Sequence, residues 1–189
     1  MRVLVAEDET LIRLDLCEML AKAGHEVCAE AKDGAEAVEL ARSAQPDLAV
    51  LDVKMPQLDG IEAARQILGE RPVPIVIVSA YTERALVDRA AESGVFGYLA
   101  KPFREDALLP ALATAVARFE ELSAVRDQVD TLAEALAARK AIERAKGILM
   151  ERERLTENDA FRRLRNASQV SGKPMRVIAE AVIAALAPT

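Results

Sequence analysis

The sequence predicts an α/β front domain, a doubly wound five-stranded parallel sheet, followed by an all-α tail of one long helix and two short ones. Three observations predict it. Short apolar runs alternate with segments of helical apolar periodicity five times before residue 118. From Glu105 the helical pattern then continues to about Glu151, with no glycine before Gly147. Beyond it, a capping-box sequence and a Gly-Pro break mark out two more helices. The chain divides on these grounds into a front domain at 1–118, a helical linker at 119–138 and a tail at 139–189, whose first helix continues the linker.

The first apolar run, Arg2 to Ala6, ends in Glu7-Asp8-Glu9. Thr10 is placed to cap a helix carrying Leu11, Leu14, Cys17 or Met19 and Leu20 at helical spacing, which Gly24 ends. Glu26 to Ala31 reads as the second strand, and Asp33-Gly34 turns into a helix through Ala35, Val38, Leu40 and Ala41 that stops before Pro46. The third run, Leu48 to Leu51, delivers Asp52 to a strand end, with Pro56 and Asp59-Gly60 forming the turn behind it. Gly60 to Leu68 is helical in pattern, Pro74 to Val78 is a strand ending in Ser79, and Thr82 to Ala91 is helical, ending near Gly94. Val95 to Ala100 ends in Lys101-Pro102, and the fifth helix starts at Glu105 and runs to about Val116, with Pro110 predicting a kink or restart inside it.

Functional groups of an open parallel sheet gather outside the carboxyl ends of its strands. An acidic pair, a lone acid, a hydroxyl and a lysine all occupy such ends here: Glu7 and Asp8, Asp52, Ser79, Lys101. Carboxylates brought this close repel unless a cation compensates, and a hard divalent ion of the Mg²⁺ type suits an all-oxygen donor set. On these separated positions, residues 1 to about 118 resemble a response-regulator receiver domain, which has a flavodoxin-like sheet. The resemblance implies that Asp52 accepts a phosphoryl group from a sensor histidine kinase. It also implies that Glu7, Asp8, Asp52 and the backbone carbonyl of Lys54 hold Mg²⁺, that Ser79 and Tyr98 are the switch residues, and that Lys101 binds the phosphate. Glu7 departs from the family's more frequent Asp by one methylene. Beyond its own phosphorylation and dephosphorylation such a domain catalyses nothing. His25, the only histidine, reads as a surface or strand-edge residue, so the donor histidine belongs to another protein.

Bulk properties exclude several classes. No run of 18 apolar residues and no signal-peptide pattern occurs, which points to a cytoplasmic protein without a membrane span. Cys17 and Cys28 form no spaced framework, and one histidine leaves no zinc set, so both cysteines read as small core residues. Charge separates along the chain: residues 139–189 hold 11 Lys and Arg against 6 Asp and Glu, whereas the whole chain carries −6. A basic tail behind an acidic front domain suggests a polyanion for the tail.

Leu122, Val129 and Leu136 lie seven apart, as do Val125 and Leu132, giving an a/d stripe about two heptads long, suited to packing on a twin or on the chain's own tail. Thr156-Glu157-Asn158-Asp159 opens a helix with Ala160, Phe161, Leu164, Ala167 and Ser168 on one side, which reads as a buried face. Ser171 to Pro174 breaks it, and Met175, Val177, Ile178, Ala181, Val182, Ala185 and Leu186 mark the last helix. The Ala145-Lys146-Gly147-Ile148-Leu149-Met150 core, with Ala160-Phe161 and Leu164-Arg165, resembles the ANTAR output domain over about residues 120–187. That resemblance implies a phosphorylation-promoted dimer that grips RNA hairpins and keeps a terminator from forming. Arg139, Lys140, Arg144, Lys146, Arg162, Arg163 and Arg165 are the candidate RNA contacts, with Gly147 leaving backbone open to close approach.

Three rivals remain. A DNA-binding regulator would need a helix-turn-helix, but the last helix is largely apolar with Arg176 its only base. A dehalogenase-like phosphatase needs a second acid two residues after the nucleophile, where this chain has Lys54. A tail that binds only protein would leave RNA affinity indifferent to Lys146 and Arg163.

Overall fold

A computed structural model describes residues 1–80 and 84–186, except the side chains of 84–87. The predicted elements form in order: β1 (Arg2–Ala6), α1 (Thr10–Lys22), β2 (Glu26–Ala31), α2 (Gly34–Ala44), β3 (Leu48–Asp52) and α3 (Gly60–Glu70). They are followed by β4 (Ile75–Ser79), α4 (Arg84–Glu92), β5 (Gly97–Ala100), α5 (Glu105–Glu153), α6 (Glu157–Ser171) and α7 (Met175–Leu186). Thr82, the expected start of the fourth helix, lies outside the described residues. By contacts the chain forms two units, Met1–Ser123 and Ala124–Thr189, each described by itself below.

In the first unit the strands pair in parallel in the order β2-β1-β3-β4-β5. Successive side chains alternate between faces, so each strand feeds two cores. Leu4, Leu51 and Ile77 meet Val38, Ile61 and Ile67 of α2 and α3 on one face. Val5, Val50 and Val76 meet Leu16 and Leu20 of α1 and Leu108 and Leu112 of α5 on the other. Because β3 and β4 are covered on both sides, every residue in them is buried, which is why they read as continuous apolar runs.

The first helix departs from expectation. Thr10 is its first helical residue rather than its cap; Glu9 is the cap residue and makes no side-chain cap bond. Leu11 is 82% exposed and Leu14 is exposed too, while Leu16 and Leu20 carry the packing. Cys17 and Cys28 are unpaired and half-buried, and burial, with Glu30 beside it, pushes the Cys17 thiol up to about 11.

Helix α5 runs through Pro110 without the expected restart. Pro110 is the sixth helical residue, so its missing N–H deprives only the Asp106 carbonyl, and both residues are exposed. Thr114 Oγ1 donates to the Pro110 carbonyl at 2.8 Å.

In the second unit Ala145 and Leu149 of α5 pack on Ala160 and Leu164 of α6 and Ala179 of α7. Three alanines at this centre bring the helix axes close. Thr156 caps α6 as predicted, its Oγ1 accepting from the Asp159 N–H at 3.2 Å. Gly172, at φ 68°, ends the helix, and Ser168 Oγ donates to the Lys173 carbonyl at 2.6 Å to close the turn. No described helix is long and apolar enough to cross a membrane.

Candidate functional site

Strand ends build the first site. One residue past β1, the Glu7 N–H donates to the Ala31 carbonyl at 3.0 Å, and the Arg13 guanidinium donates to the Glu7 carbonyl at 2.6 Å. This holds Glu7 on the sheet edge with its side chain wholly buried. Asp52 is the last residue of β3, and the Lys54 N–H donates to its carboxylate. Helix α3 starts against the same point: the Gly60 N–H donates to the Val53 carbonyl at 2.9 Å, and a Cβ on Gly60 would lie 1.8 Å from the Asp52 carbonyl oxygen. Only glycine fits that approach. Ser79, the end of β4, is buried, and its carbonyl accepts from the Lys101 N–H at 2.7 Å, which brings Lys101 beside it.

The Lys101 ammonium stands between the acids, with Nζ 2.6 Å from Glu7 Oε2 and 2.8 Å from Asp52 Oδ1. Carboxylate oxygens of Glu7, Asp8 and Asp52 lie within 4.8 Å of one another. Burial pushes the carboxyls of Glu7 and Asp52 above their ordinary values, and the Lys101 hydrogen bonds offset only part of that. Burial likewise pulls Lys101 down, but its bonds to Asp52 and Glu7 more than reverse this and hold it above its ordinary value. Three carboxylates against one ammonium leave the cluster two positive charges short, the charge of one divalent cation. The donor set therefore fits Mg²⁺. Asp8, Asp52, Lys54 and Lys101 line a cleft of about 510 Å³ that opens the cluster to solvent.

The structure thus brings together Glu7, Asp8, Asp52, Ser79 and Lys101 as the sequence expects. Tyr98 is half-buried on β5, against the core face that α2 and α3 cover. His25 precedes β2, at the opposite end of the sheet from this cleft. Arg13 is a contributor that no motif announces: it reaches back to Glu7 from the second turn of α1 and pairs with Glu30 at 3.4 Å.

The predicted RNA contacts separate into three groups. Arg139, Lys140, Arg144 and Arg165 are exposed, and among the described residues their side chains make no hydrogen bond or ion pair. Arg162 and Arg163 are exposed but engaged, by Asp159 and Glu153 respectively. Lys146 is not on the open surface: it is 7% exposed, and its ammonium donates to Glu143 at 2.9 Å and Glu157 at 2.7 Å. It ties α5 to the first turn of α6, an arrangement visible only once the chain has turned back on itself. Gly147 is exposed, and a Cβ there would meet nothing, so packing within the chain does not require it. Phe161 is corrected as well: the core of the tail is filled by Ala160 and Leu164, and Phe161 stands 41% exposed beside them. The stripe of Leu122, Val125, Val129, Leu132 and Leu136 is exposed along α5, from 48% at Leu122 to 70% at Leu132.

Residues 3–113 match the response regulator receiver domain family, and residues 130–183 match the ANTAR domain family. The chain is 49% identical over 185 residues to the transcriptional regulatory protein PdtaR of Mycobacterium tuberculosis, spanning 98% of this chain and 90% of that protein. It is 36% identical over 112 residues to the chemotaxis protein CheY of Thermotoga maritima, spanning 59% of this chain and 93% of that one. Among solved structures, the response regulator domain of Thermotoga maritima CheB superposes with a TM-score of 0.58 at 32% identity, over 62% of this chain and 96% of that one. The ANTAR match favours the RNA-binding reading of the tail over a DNA-binding helix-turn-helix. The chain belongs to the response-regulator family, with a receiver domain followed by an ANTAR domain, the RNA-binding module of transcription antitermination.

Proposed function

We propose that Asp52 accepts a phosphoryl group from a phosphohistidine of a sensor kinase and that this event switches the tail onto RNA hairpins in the cytoplasm. The observation that carries the reading is the Lys101 ammonium bridging Glu7 and Asp52 inside a cluster of three carboxylates. One carboxylate oxygen of Asp52 forms the bond to phosphorus while the bond from phosphorus to the donor imidazole breaks, and the imidazole nitrogen recovers a proton. Bound by Glu7, Asp8, Asp52 and the Lys54 carbonyl, Mg²⁺ would supply positive charge to the oxygens around phosphorus.

Once Asp52 is an acyl phosphate it no longer presents the carboxylate that Lys101 holds, and the ammonium turns to the phosphoryl oxygens. The buried Ser79 hydroxyl, at the neighbouring strand end, donates to the same group, and Tyr98 follows into the space this frees. The two-state element is then the β4–β5 edge. Its output is a homodimer along the exposed Leu122, Val125, Val129, Leu132 and Leu136 stripe, which sets two tails side by side. Each tail offers the unpaired Arg139, Lys140, Arg144 and Arg165 to the phosphates of a hairpin, with Gly147 open to close approach and Arg162 and Arg163 beside them once freed of Asp159 and Glu153. Lys146 shapes this surface without touching RNA. No enzymatic activity beyond the self-limited phosphorylation cycle is expected.

Labelling tests the site directly. Incubated with radiolabelled acetyl phosphate and Mg²⁺, the wild-type chain gains a label of the acyl-phosphate type, lost on mild base or hydroxylamine treatment. Asp52→Asn gains none, and label retained in that variant overturns the assignment.

A further inference from the structure

We propose that Arg13 is a positioning residue for the divalent-cation site: it fixes the backbone of Glu7 and, through it, the place of the Glu7 carboxylate. The inference rests on the phosphorylation reading above and adds to it a residue that touches neither the ion nor the phosphoryl group.

Glu7 needs such a support because the sheet stops short of it. Pairing of β1 ends at Ala6, opposite Ala31 on β2 and Leu51 on β3. The Glu7 N–H still reaches the Ala31 carbonyl, but the Glu7 carbonyl lies past both ladders, and the donor that meets it is the Arg13 guanidinium at 2.6 Å. A backbone carbonyl beside a wholly buried side chain requires a donor of this kind. Glu7 also carries one methylene more than an aspartate, so its carboxylate swings through one more torsion and depends the more on a fixed backbone. A Mg²⁺ site tolerates little of that freedom, because the ion demands near-ideal octahedral placement of its oxygen ligands.

The guanidinium is itself held in place. While Nη1 donates to the Glu7 carbonyl, Nε lies 3.4 Å from Glu30 Oε2 on β2, and the Arg13 side chain is only 17% exposed. Arg13 thus spans from the end of β2 to the residue that follows β1. Among the described residues that line the cleft beside Asp52, α1 contributes Ile12 and Asp15, and Arg13 is turned away from it. Its influence on the site therefore passes through Glu7. Glu30 answers the charge of Arg13, so what Arg13 gives the cluster is placement rather than field.

The test titrates Mg²⁺ into the full chain and follows the backbone amides around Glu7 and Asp52 by NMR. In Arg13→Met, which keeps the length of the side chain and loses every donor, Mg²⁺ binds roughly 10- to 100-fold more weakly, as expected when the support behind a metal ligand is removed. Arg13→Lys keeps the charge but not the planar fork that meets Glu7 and Glu30 together, so it loses affinity by less. With radiolabelled acetyl phosphate, the Mg²⁺ concentration that gives half the labelling rate rises by the same factor in Arg13→Met, while the rate at saturating Mg²⁺ returns to that of wild type. In a Glu7→Ala background, Arg13→Met has no further effect on Mg²⁺ affinity, because the carboxylate it positions is gone.

Wild-type Mg²⁺ affinity in Arg13→Met overturns the proposal, as does wild-type affinity in Arg13→Lys where circular dichroism shows Arg13→Met unfolded. An equal loss in the Glu7→Ala background overturns it too, since Arg13 then acts on the whole site and not on Glu7. So does a labelling rate that stays low at saturating Mg²⁺, which places Arg13 in the transfer step. If wild type binds no Mg²⁺ and takes no label, the phosphorylation reading falls and takes this inference with it. A wild type that labels, beside an Arg13→Met protein of unchanged Mg²⁺ affinity, removes the positioning role alone.

Discussion

Replacing Lys101 by Met keeps most of the side-chain volume and removes the ammonium that Glu7 and Asp52 share at 2.6 and 2.8 Å. Deleting one partner of a buried ion pair costs about 3–5 kcal/mol, because the remaining charge is left uncompensated. Glu7 is wholly buried, but Asp8 and Asp52 border an open cleft where water replaces part of the lost interaction, so the lower end, about 3 kcal/mol, applies. For a unit the size of Met1–Ser123 that loss lowers the melting temperature by roughly 10 °C. Calorimetry at neutral pH without divalent ions measures it.

The pH dependence has a definite sign. The Glu7 and Asp52 carboxyls are raised in the folded state, so protonation favours the fold. The burden of their charge is absent below the unfolded values, near about 4, and grows as pH rises through the higher folded ones. Without Lys101 these values rise further, so the deficit of the variant shrinks on acidification. Added Mg²⁺ supplies the missing positive charge and narrows the deficit at neutral pH. A Lys101→Met protein that melts with wild type at neutral pH, without divalent ions, would refute Lys101 as the compensating charge.

Three further outcomes follow from the geometry. Gly60→Ala would place a methyl 1.8 Å from the Asp52 carbonyl oxygen, so α3 must shift and loosen its bond to Val53; a loss of about 3 kcal/mol is expected in urea denaturation, and an unchanged midpoint contradicts the close approach. Leu132→Glu changes a residue 70% exposed and leaves the melting temperature alone, while phosphorylation-dependent self-association in light scattering disappears; a wild-type mass shift would exclude the α5 stripe as the interface. Lys146→Met destabilises the tail between roughly pH 5 and 10. The hydrogen bond from Lys146 lowers the Glu157 value, and those from Glu157 and Glu143 raise that of Lys146, so the wild-type advantage fades as Glu157 protonates in acid and as Lys146 deprotonates in alkali. The same variant keeps the wild-type salt slope for RNA, whereas Arg165→Ala reduces it by about one; a reduced slope in Lys146→Met would return that lysine to the RNA surface.

Much of the receiver was legible because each strand is a short apolar run that stops at a functional residue: Ala6 before Glu7, Leu51 before Asp52, Val78 before Ser79, Ala100 before Lys101. Burial on both faces makes β3 and β4 unmistakable. Helix α1 was harder, since Leu11, Ile12, Leu14, Leu16, Met19 and Leu20 leave little polar face, and spacing alone does not say which stripe meets the sheet. In the tail, Phe161 and Leu164 satisfy one helical spacing, yet the centre is built on alanines that admit Leu164 and turn Phe161 aside. Lys146 looked like basic surface because its partner Glu157 is eleven residues away, across the turn into α6. Arg13 escaped notice for a similar reason: its bond to the Glu7 carbonyl exists only after α1 folds back over β1.

The central claim is that phosphorylation at Asp52 controls RNA binding by the tail. Affinity of the full chain for hairpin RNA and for duplex DNA, across a salt series, with and without acetyl phosphate and Mg²⁺, tests it most directly when wild type and Asp52→Asn are compared. The account predicts selective hairpin binding that tightens on phosphorylation in wild type and stays flat in Asp52→Asn. Equal affinity for both nucleic acids at every salt concentration, or equal tightening in the two proteins, would contradict it.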